Sequence, residues 1–256
     1  MATVDNNIPV WSIRTSTERK EDNLPTYLIF CEDANSEVVY FNSFQIGRDI
    51  KINAIPEQKS GCANVANAVK YCVENSLLNE GEVLDESKDV HVWCVFDCDA
   101  LSEDDGAYMS KMIDFDGAIS TAEQHNFHVA WSNDCFELWV LLHIEAINYT
   151  DVATKNRKYY YERLTEYFKA HSSHSEELKK AVLYPSFYYK DYMKKLVRFV
   201  DIVLPILKDE SRCQNAMERA KALYAQYDAN MVPHLKCPCT VAYLLVEELL
   251  KYPIRE

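Results

Sequence analysis

Two apolar runs in this chain end in acid: Leu24 to Cys31 leads into Glu32, and Val90 to Phe96 leads into Asp97-Cys98-Asp99. Continuous apolar runs mark strands buried on both faces of a parallel sheet, and such sheets carry their chemistry at the carboxyl ends of the strands. Three carboxylates are therefore expected to meet at one edge. Like charges at that separation repel by several kcal/mol at intermediate dielectric, so the cluster needs raised pKa values or a divalent cation. Asp97 and Asp99, two apart, point to one face of a strand and can share an ion through oxygen ligands. Magnesium suits such a set, with manganese as its substitute. Glu32 is then a third ligand or the base that takes a proton from an attacking water.

Each of these residues also has a structural reading. Asp97 and Asp99 could simply cap the turn that follows. Glu37 could reach the same cation or only complement a helix amino terminus. Asp134-Cys135-Phe136-Glu137 has the spacing of a capping box, which makes Glu137 structural.

The elements that position these groups follow from periodicity. Residues 1–23 are polar and read as a loose arm. Strand 24–31 precedes a short helix over 36–46, a weak strand at 52–55, a helix over 62–79, strand 90–96, a helix containing Met112 and Ile119, a strand at 127–131 and a buried helix over 135–144. Alternation of this kind specifies an α/β domain with a mostly parallel sheet flanked by helices over 24–150. After residue 150 the strand signal stops and aromatic content rises. Helices over 153–171, 187–208, 211–228 and 240–251 make residues 151–256 an α-helical domain. On the second helix of that region, 187–208, Lys190, Lys194 and Arg198 would form a basic stripe among tyrosines, suited to nucleic-acid backbone and bases or else only a solvated face.

The net charge of −13 is uneven, with 9 basic against 26 acidic residues up to position 150 and 18 against 14 after it. A general nucleic-acid coat protein is disfavoured, although the carboxyl-terminal part escapes that objection. Nine cysteines at irregular spacings point to a reducing, cytoplasmic setting. Cys237 and Cys239 with His234 are a poor match to a zinc knuckle. No apolar run is long enough for a membrane span, and no leader pattern opens the chain. Five glycines supply no phosphate-cradling loop.

Three longer segments carry a family resemblance: Tyr27-Leu-Ile-Phe-Cys-Glu-Asp-Ala-Asn-Ser-Glu37 with Tyr40-Phe41, Val95-Phe-Asp-Cys-Asp99, and Ala130-Trp-Ser-Asn-Asp-Cys-Phe-Glu-Leu-Trp-Val-Leu-Leu-His143. With Asn215 to Lys221 and Pro238-Cys-Thr240, they make the chain resemble the RloB family, a bacterial defence-associated group with a TOPRIM fold. The resemblance implies magnesium held by Glu32, Asp97 and Asp99, with Glu37, Ser132, Asn133 and Glu137 lining the site. It also implies an endonuclease, on RNA such as transfer RNA ahead of DNA, acting as an antiviral effector. The alternative is a non-catalytic metal- or partner-binding module of an ATPase-containing defence complex. A partner ATPase and a second copy of the chain are the protein partners compatible with either. The chain departs from the family pattern at Asp33 (usually Gly), Cys98 (Arg), Ala100 (acidic) and Asp134 (Pro).

Overall fold

The computed structural model describes residues 24–79, 81–85, 89–99 and 108–255, so the expected amino-terminal arm lies outside the described residues. Five strands form one sheet in the order β2-β1-β3-β4-β5. They are β1 Thr26–Cys31, β2 Lys51–Ile55, β3 Val90–Asp97, β4 His128–Asn133 and β5 Cys239–Thr240. The first four are parallel, with Cys31 beside Val95 and Asp97 beside Ser132 in register. β1 and β3 read as continuous apolar runs because both faces are covered, and Tyr27 to Cys31 and Val92 to Phe96 are all buried.

The crossovers are α1 Ser36–Asn42, α2 Gly61–Glu74 and α3 Tyr108–Gln124. The chain leaves β1 for β2 on one side, then returns to lay β3 against the other side of β1. Winding therefore reverses between β1 and β3, and their carboxyl ends flank the crevice where open α/β sheets place ligands. Asn64 of α2 secures this point by donating from Nδ2 to the carbonyls of Phe30 and Val95, at 3.1 Å each. Gly61 opens α2 at φ +54°, and a Cβ there would lie 1.7 Å from Asp114 Oδ2, so glycine lets α2 close on α3.

Helix α4, Glu137–Leu142, is buried at every position, Leu138 to Leu142 being apolar all round and Glu137 the one charged residue. Trp139 and His143 pack edge-on with Tyr40, which also meets Phe44 and Phe136. Burial of each large apolar side chain here stabilises by roughly 1.5–3 kcal/mol.

Beyond residue 150 two expectations are corrected. The strand signal does not end: β5 adds antiparallel to the free edge of β4, pairing Ser132 with Thr240 and Asn133 with Cys239. Two residues are too few to show a period. The single helix expected over 187–208 is broken into α7 Tyr189–Tyr192, α8 Leu196–Arg198, a π-helical turn Phe199–Val203 and α9 Leu204–Leu207. Pro205 follows directly on the π-helical turn, inside a helical run that continues unbroken from Leu196 to Leu207. Helices α5 Arg157–Ala170, α10 Glu210–Tyr224 and α11 Ala242–Leu250 form near their expected places, and α6 Glu176–Ala181 forms where no helix was expected. α5 and α10 pack on α4, and α11 packs on β4.

Candidate functional site

At the β1/β3 crevice the sheet edge opens into a cleft of about 340 Å³ lined by Glu32, Asp33, Glu37, Asp97, Asp99 and Glu137 on the acidic side, with Arg157 and Lys194 opposing them. The two strand ends are joined directly. Glu32 continues the β1 pairing by donating its amide to Val95 O at 3.1 Å, and its Oε2 accepts the amide of Asp97 at 2.9 Å. Asp97 and Asp99 both line the cleft, while Cys98 between them is buried, as the alternation of a strand end requires. Asp99 turns the backbone at φ +52°, a conformation Asp tolerates better than most residues.

Helix α1 brings the next carboxylate. Glu37, in its first turn, is buried and accepts the amide of Asp33 at 3.0 Å. Asp33 in turn accepts the Asn35 amide at 2.6 Å and pairs with Ser36 Oγ. Asp33 is absent from the residues of positive φ, so the loop gains its turn from side-chain hydrogen bonds in place of glycine's freedom.

Burial and mutual repulsion set the protonation of the cluster. Burial pushes Glu32 above the usual carboxylate range, opposed by the Asp97 amide and reinforced by the Asp99 charge. Glu37 is raised by burial and then by Glu32. Asp97 is raised by burial and then by the charges of Glu32, Glu37, Asp99 and Glu137. All five influences on Asp97 disfavour its charge, and its carboxylate accepts no hydrogen bond from the described residues.

Two cations from the carboxyl-terminal part neutralise the rim. Arg157 at the start of α5 pairs with Asp99 through Nη2 and with Asp134 through Nε at 2.6 Å. Lys194, between α7 and α8, reaches Glu137 Oε1 at 2.7 Å and Asp33 Oδ2 at 3.8 Å. Burial opposes the charge of Lys194, and Glu137 more than offsets it, so its pKa rises.

The expected capping box does not form. Residue 136, in helical conformation, precedes α4, no side chain caps the helix, and Asp134 is drawn to Arg157. Glu137 is freed to face the cleft. Ser132 and Asn133 are not brought into it: Ser132 Oγ meets Thr240 Oγ1 at 3.0 Å, and Asn133 Nδ2 donates to His234 O at 2.8 Å. They fasten β5 and the segment before it to β4. Without a continuous helix, Lys190, Lys194 and Arg198 form no stripe. Lys190 lies over the Tyr161 ring, Lys194 enters the cleft, and Arg198 pairs with Glu177 over Tyr192. His234 is committed to Asp116 and the Cys237 thiol to Lys155 O, so no zinc set gathers there.

Sequence reasoning missed Arg157 and Lys194 as partners of the acids, and Asn64 as the clamp beneath them. Hard oxygen donors, mutually repelling and including an unpaired Asp97, fit a divalent cation chemically. Among the described residues no three acidic, imidazole or thiol groups already stand in a metal-holding cluster. Asp99 is held by Arg157 and Glu32 by the Asp97 amide, and both would have to turn.

The model of the family described as RloB-like protein matches residues 27–249. No curated protein and no solved structure matches in the corresponding searches.

Proposed function

The chain belongs to the RloB-like family, and from that premise and its acidic cleft we propose a metal-dependent, TOPRIM-like nuclease that cuts phosphodiester bonds, in RNA such as transfer RNA ahead of DNA, as an effector of bacterial antiviral defence. One observation carries the reading. The Glu32 carboxylate accepts the Asp97 backbone amide at 2.9 Å at the point where the sheet reverses its winding, and the side chains of Glu32, Glu37, Asp97 and Asp99 line one cleft. Repulsion among buried carboxylates is costly to keep unless it serves a cation or a proton transfer.

In this reading Asp97 and Glu32 hold Mg2+ or Mn2+, and Asp99 joins them once Arg157 releases it. The ion, when bound, supplies charge to polarise a phosphate and stabilise the leaving oxygen. Glu32, with its raised affinity for protons, completes the donor set or accepts a proton from the attacking water. Arg157, freed from Asp99, is placed to meet a phosphate in the fork geometry guanidinium favours. Lys190, exposed beside Tyr161, and Arg198, stacked on Tyr192, offer a charge and an aromatic face to the strand. Nine unpaired cysteines suit a reducing cytoplasm.

Purified protein is incubated with RNA and DNA panels in Mg2+ or Mn2+, with and without a partner ATPase, beside an Asp97→Asn control. Metal-dependent cleavage lost in the control is the expected result. A non-catalytic module of an ATPase-containing complex is the second reading. It is favoured by the ion pairs of Arg157 and Lys194, which neutralise the cleft without any metal. Intact substrate under every condition would select it.

A further inference from the structure

Away from the acidic cleft, a second cavity of about 580 Å³ lies between the end of α1, the α9–α10 junction and the carboxyl-terminal segment. Its size is in the range of small-molecule sites. Its walls are mostly apolar, with Leu207, Met217, Leu250 and Tyr252 among them. Two half-buried cations converge at one end. Lys208 Nζ sits 3.9 Å from the centre of the Phe44 ring, and the Arg48 guanidinium lies 5.9 Å from the same ring.

Neither cation has a carboxylate partner among the described residues. Arg48 donates to the carbonyls of Tyr252 at 2.7 Å and Phe44 at 3.1 Å, and Lys208 reaches Ser43 O at 3.5 Å. Glu210, the one acid of the lining, is exposed and forms an ion pair with neither among the described residues. Partly buried charges are normally paired, and this chain has 40 acidic residues from which a partner could have come. Burial and then the Arg48 charge hold Lys208 below the usual lysine range, the mark of positive charge left uncompensated. Both side chains line the cavity, where a guanidinium and an ammonium together match a phosphate.

We propose that this cavity binds a nucleoside monophosphate, its phosphate between Arg48 and Lys208 and its base against the apolar wall that includes Tyr252. A dianionic phosphate neutralises the cation pair, and the apolar remainder of the cavity needs a planar or apolar body that free phosphate lacks. The site is independent of the acidic cleft and of the nuclease reading.

Calorimetric titration of the full chain with AMP, GMP, CMP and UMP tests it, with adenosine and inorganic phosphate as half-ligands. At least one monophosphate should bind at a single saturable site, more tightly than either half-ligand. Lys208→Gln, which keeps the stem over Phe44 and removes the charge, and Lys208→Glu should each weaken binding by about tenfold or more, the worth of a charge-assisted hydrogen bond. Asp97→Asn should leave it unchanged. Absence of saturable binding for all four nucleotides at millimolar concentration overturns the proposal, as does undiminished affinity in both Lys208 variants. Loss of affinity in Asp97→Asn with retention in the Lys208 variants would move the nucleotide to the acidic cleft and overturn it equally. Circular dichroism of each variant confirms that the fold is kept.

Discussion

The carboxylate of Glu32 accepts the backbone amide of Asp97 at 2.9 Å, joining the ends of two strands 65 positions apart in the chain. The bond fixes one oxygen of Glu32 and leaves the Asp97 side chain free of protein donors among the described residues. Asp97 consequently bears the repulsion of its neighbours without relief.

Replacing Asp97 by Asn should therefore stabilise the metal-free protein while removing the proposed activity. Relief of about 1 kcal/mol corresponds to a rise of roughly 2–4 °C in Tm for a chain of this size. Differential scanning calorimetry in chelator makes the comparison. Adding Mg2+ should then raise the wild-type Tm, by up to about 2.7 kcal/mol of stability at a hundredfold excess over Kd, and leave Asp97→Asn unmoved. A variant less stable than wild type in chelator would show that Asp97 is already well solvated or paired.

Much of this site was legible because its signal is local. An apolar run followed at once by acid marks a buried strand end, and β1 and β3 proved to be neighbours, so Glu32 and Asp97 met. What sets the opposing charge was not local: Arg157 and Asp99 are 58 positions apart, and no spacing rule links them. The same long-range pairing defeated the capping box, since Asp134 found a guanidinium that outcompetes a helix amide. Helix 187–208 failed because periodicity continued through Met193 to Lys195, where the chain leaves the helix before a second run, Leu196 to Leu207, that itself contains a π-helical turn. Ser132 and Asn133 belong to the same family-like run as Glu137, yet two-residue β5 uses them as its anchor.

Arg157 should matter more for stability than its position at the cleft rim suggests. Asp134 is 0% exposed and has one carboxylate oxygen with no partner, so loss of the guanidinium leaves a buried charge uncompensated. Arg157→Ala is expected to cost roughly 3–5 kcal/mol in urea unfolding, and Asp134→Asn combined with Arg157→Met to recover much of it. Equal instability in the double variant would mean that Arg157 stabilises through packing and not through charge.

His143, the end of the longest family-like segment, is a core residue whose pKa burial lowers to about 4, while Nδ1 meets Trp139 O at 2.9 Å. Its folded pKa lies below the unfolded value of about 6.5, so the unfolded chain binds the extra proton first. The contribution is fully present above pH 6.5 and is lost as pH falls toward 4, by roughly 3 kcal/mol. Denaturation from pH 7 to 4 should show this slope in wild type and a flatter one in His143→Phe. Parallel slopes would place the titrating group elsewhere.

Lys190 and Lys194 should separate into different roles. Lys190→Ala, at an exposed position, should reduce the salt dependence of RNA binding by about 0.7 in log-log slope for the lost phosphate contact, with Tm unchanged. Lys194→Met strands Glu137, which is buried, and should lower Tm. Filter binding across a salt series and a melting curve on the same samples read both. A Tm unaffected by Lys194→Met would remove it from the charge balance of the cleft.

The most direct measurement is titration of Mn2+ into metal-free protein, comparing wild type with Asp97→Asn and Glu32→Gln. One ion per chain in wild type, weakened at least about tenfold in each variant, is the expected result. Failure of the wild-type chain to take up an ion, or uptake with the same affinity after Asp97 is replaced, would contradict the assignment of this cleft as a metal centre.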